Sequence, residues 1–230
     1  MKHVFINFSG MDFISFYTSY LMPVPALLVG IYAFHQLKGG LKWVFWFTVF
    51  GTLAQWSSKI VVWFGYYNLW MLHFYVPIEF FLLSMAFVRF LDGFIQNRTI
   101  YAVMAAFILF SLIDSLIVFD FNTYHSYVRA ISSILLSGYA ILLYMKILND
   151  LEILRLSKEP MVWINTAVFF YFSGSFFVFM TFNAILNHSW DLSRSAWRIN
   201  TFLGFVFYIL IAAGFLIASI SYRKRKLTAS

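Results

Sequence analysis

The sequence contains no cysteine, which excludes a disulfide, a thiolate zinc site, an iron-sulfur cluster and a thiol nucleophile, and leaves the redox compartment undetermined. Charge is nearly as scarce. Asp, Glu, Lys and Arg make up 11% of 230 residues, whereas a soluble domain needs about a quarter charged residues to cover its surface. Paired histidines are missing too: His3, His35, His73, His125 and His188 are scattered singly with no i, i+4 spacing, so a metal-dependent membrane hydrolase is not expected. No catalytic or nucleotide-binding motif stands out, and the chain reads as a non-enzyme with no cofactor.

What is present is apolar. Hydrophobic residues make up 62% of the chain and the mean hydropathy is +0.81, a composition for which lipid is the sensible solvent. The net charge of +7 is concentrated, because Arg223, Lys224, Arg225 and Lys226 supply four of the sixteen Lys and Arg. A basic run directly after an apolar helix is a cytoplasmic anchor against anionic headgroups rather than a nucleic acid surface. Residues 222–230 are therefore read as a basic cytoplasmic tail. The first ten residues lack the pattern of a cleavable signal, since Lys2 is followed by polar Asn7, Ser9 and Gly10.

Apolar runs of about 20 residues are long enough to cross the hydrocarbon core as helices. Seven occur, approximately Phe13 to His35, Leu41 to Tyr66, Leu69 to Phe90, Ile100 to Phe119, Tyr124 to Ile147, Met161 to Leu186 and Ala196 to Ser221. The expected fold is all-α: a polytopic membrane protein built as one seven-transmembrane-helix bundle over residues 1–230. Breakers and charges fill the connections, among them Lys38-Gly39-Gly40, Asp92-Gly93, Asp120-Phe121-Asn122, 149–160 and 187–194. If the first, third and fifth loops and the tail share one side, that side carries eleven Lys and Arg (Lys38, Lys42, Arg89, Arg98, Lys146, Arg155, Lys158 and the four of the tail). The other side carries Lys2, Arg194 and Arg198. The imbalance puts the N-terminus outside and the C-terminus in the cytoplasm. Tryptophans and tyrosines at both ends of the spans fit interfacial belts, and most of the 30 Phe are expected to face lipid.

Ionisable groups inside a span cost several kcal/mol unless paired or hydrated, roughly, so they are the default ligand-binding candidates. The set is Lys59, His73, Glu79, Asp114, His125 and Arg129. All except Glu79 fall within about 10 Å of the outer surface at 1.5 Å per residue, and Glu79 is near the midplane. Ser111, Asp114 and Ser115 share a face of the fourth span, and Ser126, Arg129, Ser132, Ser133 and Ser137 form a stripe on the fifth. Pro77 cannot donate to the carbonyl of His73, so a kink and a wet spot are expected there. Three readings stay open: buried pairing that fixes helix register, with Asp114 on Arg129 and Glu79 on Lys59; a hydrated outer pocket for a small polar or anionic ligand; or an ion path.

Rhodopsins need a Schiff-base lysine in the last span, and 196–221 has none. Small sugar transporters of the SWEET type have a 3+1+3 layout. Trp70-Met-Leu-His73 and Trp197-Arg-Ile-Asn200 sit at the matching offset, but Pro23 and Pro25 have no counterpart in the fifth span. The residues His73 to Glu79, Trp163-Ile-Asn165 with Phe170-Tyr-Phe-Ser-Gly174, and Trp197-Arg-Ile-Asn200 resemble a pattern in uncharacterised bacterial seven-span proteins. Those are similar in layout to the seven-span sensor modules of histidine kinases. The resemblance implies a sensor-like or accessory subunit of the bacterial inner (plasma) membrane, with an outward-facing pocket and a separate signalling partner. The alternative is a small-solute transporter of SWEET-like layout.

Overall fold

A computed structural model describes residues 20–66, 68, 70–117, 126–149, 156–188 and 190–228. His125, Asn122, Gly10 and the start of the first expected span lie outside the described residues. Among the described residues there are seven α-helices: α1 (Pro23–Ala33), α2 (Gly40–Trp63), α3 (Trp70–Phe90), α4 (Asn97–Ile117), α5 (Ser126–Asn149), α6 (Pro160–His188) and α7 (Trp190–Thr228). Short 3-10 turns cover Phe34–Gln36 and Leu156–Lys158. Five of the helices, α3 to α7, contain stretches long and apolar enough to cross a membrane. The regular structure of the described residues is thus all helical, with the long apolar helices of a membrane protein.

Local chemistry sets the boundaries. Pro23 begins α1, where its missing N–H costs no helical bond. The second expected span continues to Tyr66, but α2 stops at Trp63. Gly65 adopts φ 80°, its N–H bonds the Val62 carbonyl at 2.9 Å, and the Tyr66 N–H bonds that of Val61 at 3.1 Å. This Schellman closure needs the left-handed conformation that glycine adopts without strain. At the other end of the bundle, the Lys146 ammonium of α5 donates to the carbonyls of Phe90 at 3.0 Å and Asp92 at 2.6 Å. A cation thereby satisfies the last turn of α3. The loop expected over 187–194 is almost absent, because α6 runs through His188 and α7 begins at Trp190.

Packing follows a ring. α1 lies against α2, α2 against α3, α3 against α5, α5 against α6, α6 against α7, and α7 returns to α1. α4 stands outside this ring, packed mainly on α3.

The interior is more aromatic than the sequence reading allowed. Phe47, Phe80, Phe87, Phe172 and Phe215 are fully buried, and rings meet across helices: Phe47 with Phe207 at 5.8 Å, Tyr171 with Phe207 at 4.9 Å, Phe80 with Phe107 at 4.2 Å. Of the 23 described Phe side chains, ten are buried and thirteen are partly or fully exposed, so the core takes a large share of rings that could equally have faced lipid. Where small residues let helices approach, rings fill the remaining volume by edge and tilted contacts.

Six buried or half-buried hydroxyls find acceptors on their own helices. Thr48, Thr52, Ser115, Ser133, Thr166 and Ser173 each donate to the carbonyl four residues earlier, at 2.5 to 2.9 Å. Other polar side chains reach across to a neighbouring helix. Asn165 Nδ2 donates to the Ala140 carbonyl at 3.0 Å, and Ser175 Oγ to Asn200 Oδ1 at 3.0 Å.

Candidate functional site: a buried guanidinium between three helices

Arg129 lies in the first turn of α5 and Glu79 in the middle of α3, and their side chains form an ion pair buried on both sides. Cα–Cβ bonds lean toward the helix N-terminus, so the Glu79 carboxylate sits nearer the Trp70 end of α3 than its backbone does, and the long arginine spans the rest. Nη1 of Arg129 donates to Oε2 of Glu79. Nη2 donates to Oε1 at 3.5 Å and to the Tyr171 hydroxyl of α6 at 3.4 Å. Tyr75, one turn before Glu79, donates its hydroxyl to Oε1 at 3.0 Å. The guanidinium also lies 4.8 Å from the ring centre of Phe179, 5.7 Å from Tyr75 and 5.8 Å from Phe172. Ring faces and a carboxylate together replace the water that the cation loses on burial.

The network extends toward α2 and α7. Gln55 Nε2 donates to the Tyr208 hydroxyl at 3.5 Å, and a Cβ at Gly51 would lie 3.1 Å from the Tyr208 hydroxyl and 3.8 Å from that of Tyr75. Five helices of the ring therefore bring polar atoms to one level.

A second arrangement adjoins it. His73 Nδ1 is 3.1 Å from Ser115 Oγ of α4, and that hydroxyl donates its one proton to the Ser111 carbonyl at 2.9 Å. His73 then carries a proton on Nδ1 and donates to the serine. A cavity of about 20 Å³ lies beside these groups, lined by Leu72, His73, Val76, Ser111, Ser115, Val128 and Arg129. That is room for about one water-sized molecule. His73, whose carbonyl Pro77 cannot bond, lines this cavity, and α3 continues as helix through the proline.

Of the six expected site residues, His73, Glu79 and Arg129 come together. Lys59 sits elsewhere, its ammonium 5.1 Å from the centre of the Tyr20 ring. Asp114 is half-buried on α4 and is not part of the cavity wall. His125 lies outside the described residues. The expected pairing is corrected: Glu79 takes Arg129, not Lys59, and Arg129 takes Glu79, not Asp114. Depth counted along helices misled here, because it measures backbone position and ignores the reach of an arginine.

No family model, curated protein or solved structure matches this chain. Function must be argued from the site alone.

Tyr75, Tyr171, Tyr208, Gln55 and Phe179 belong to the site and were not singled out from sequence. Tyr75 had a usable signal, since it stands four residues before Glu79 on the same face. The others become neighbours only through ring closure. Among the described residues no three His, Asp or Glu side chains converge as metal ligands.

Proposed function

We propose that this chain is a seven-span inner-membrane protein, N-terminus outside and C-terminus cytoplasmic, that senses a small anionic ligand and signals through a separate partner. One observation carries the reading: Arg129 is shared. It holds Glu79 of α3 and Tyr171 of α6, and it also forms part of the cavity wall with His73, Ser111 and Ser115. An anion entering beside it competes with Glu79 for the guanidinium fork, and any shift of Arg129 loosens the tie between α3, α5 and α6. Binding is thereby coupled to helix packing, which is the differential contact that a ligand needs to shift a conformational equilibrium. The cavity accepts one water-sized molecule, so ligand entry requires the helices to move apart. The eleven-to-three distribution of basic residues supports the orientation.

A second reading, a small-solute transporter of 3+1+3 layout, is favoured by the position of α4 outside a ring of two three-helix sets. The test is to titrate purified protein in liposomes with acetate, succinate and inorganic phosphate, recording intrinsic tryptophan fluorescence and isotope uptake in parallel. Saturable binding lost in Arg129→Gln, without uptake, is the expected result. Sustained uptake abolished by the same substitution would make it a transporter.

A further inference from the structure

The opposite end of the bundle carries a second polar feature that the buried site does not use. Between Phe13 and Ile78, and again from Leu192 to Ser230, the sequence has no Asp or Glu. The α1–α2 corner and the end of α7 therefore bring cations together without acids of their own. The structure links them reciprocally. Arg223 of α7 donates to the Tyr32 hydroxyl of α1 and lies 5.4 Å from the centre of that ring. Lys38 of the corner lies 5.8 Å from the centre of the Tyr222 ring of α7. Lys42 stands 5.9 Å from the centre of Phe34.

Lys38, Lys42 and Arg223 are all exposed. Among the described residues neither lysine has a hydrogen-bond acceptor, and a ring face leaves its ammonium N–H groups able to donate. Asp92, beyond the end of α3 on which Gly40 packs, accepts from Asn97. The two helices that carry Tyr32 and Arg223 pack together, and both expose apolar side chains, Leu28 and Ile31 on α1 and Leu216 and Ile220 on α7, which offer an apolar flank. The exposed ring of Trp46, 6.2 Å from that of Phe34, marks the interfacial level.

We infer that the junction of the α1–α2 corner with the end of α7 is a discrete binding site for one anionic phospholipid, its headgroup phosphate held by Lys38, Lys42 and Arg223 and its acyl chains along α1 and α7. A basic tail alone attracts anionic lipid diffusely. Here three cations from two segments far apart in sequence are each held against a ring, and the Arg223–Tyr32 and Lys38–Tyr222 contacts tie the two segments together, so less side-chain freedom is lost on binding. The apolar flank distinguishes a lipid from a free phosphate. The site does not depend on which leaflet this end faces.

The test is native mass spectrometry of the full chain in neutral detergent, titrated with short-chain phosphatidylglycerol or phosphatidylcholine. One phosphatidylglycerol is expected to bind selectively. Lys38→Gln with Lys42→Gln and Arg223→Gln should weaken it about 100-fold, and Lys42→Gln alone, at an exposed position that folding tolerates, about 5-fold. Arg225→Gln with Lys226→Gln should change it less than 5-fold, and 10 mM inorganic phosphate should not displace the lipid. Undiminished binding in the single and triple variants would overturn the proposal. So would an equal loss in the tail variant, which means diffuse attraction, or displacement by phosphate, which means an ion site without lipid.

Discussion

Arg129 of α5 and Glu79 of α3 form a buried ion pair that Tyr75 of α3 and Tyr171 of α6 join through their hydroxyls. Tyr75 satisfies the carboxylate and Tyr171 the guanidinium. Removing one member leaves the other charged, buried and without its counter-ion, which costs about 3 to 5 kcal/mol, whereas removing both avoids most of that penalty. Glu79→Gln and Arg129→Gln should each lower thermal stability in detergent, and the double variant should be more stable than the sum of the two losses allows. Purely additive losses would mean that the pair contributes no coupling.

Two glycines should respond in opposite directions. A Cβ at Gly40 would stand 2.6 Å from the Phe90 ring and 2.7 Å from the Ala86 carbonyl. The ring can turn aside but the backbone oxygen cannot, so Gly40→Ala should force α2 from α3 and destabilise by about 1 to 3 kcal/mol. A Cβ at Gly138, within α5, meets nothing within 4 Å. Gly138→Ala should stabilise by roughly 0.5 to 1 kcal/mol through the lower backbone entropy of the unfolded chain. Thermal melts of the two single variants in one detergent check both signs.

How much of this was legible in the sequence depends on the length scale of each feature. Helices α3 to α6 could be read from apolar runs, because length and composition decide them locally. The end of α2 was misread by three residues, since the apolar run continues through the Schellman turn at Gly65 and hydropathy does not register a left-handed φ. The polar positions were legible as anomalies, but their pairing was not. Backbone depth assigns Glu79 to Lys59 and Arg129 to Asp114, and only the contact of α5 with α3 gives Arg129 to Glu79 instead. His73 and Glu79 stand six residues apart, about 120° around the helix, and they bond different neighbours, His73 to α4 and Glu79 to α5. Tyr208 and Gln55, 153 residues apart, had no sequence signal linking them.

Topology can be checked without background, because the chain has no cysteine to react. Single cysteines at Gly10, Asn122 and His188 should be labelled in intact cells by an impermeant maleimide. Those at Gly39, Asp92, Asn149 and Ser230 should react only after permeabilisation. Labelling of Ser230→Cys in intact cells would defeat the proposed orientation. Protection of both Gly39→Cys and Asp92→Cys after permeabilisation would argue against loops at those positions.

The sharing of Arg129 fixes the sign of one last effect. If an external anion and Glu79 compete for the same guanidinium, Glu79 acts as an internal inhibitor, and neutralising it should tighten anion binding rather than weaken it. Gln keeps the size of Glu79 and still accepts from Tyr75 and Arg129, but it removes the charge. Displacing a neutral acceptor from a guanidinium is easier than displacing a carboxylate by about 1.4 kcal/mol or more, which is a tenfold gain in affinity. Glu79→Gln should therefore bind succinate or phosphate at least tenfold more tightly than the unsubstituted chain, while Arg129→Gln should lose binding. Tyr171→Phe removes a partner of the guanidinium without touching the charge balance, and it should shift affinity less than either. Calorimetric titration of the three variants in matched liposomes provides the comparison. Equal loss of affinity in Glu79→Gln and Arg129→Gln would show that the intact pair, rather than a released arginine, is what the anion requires.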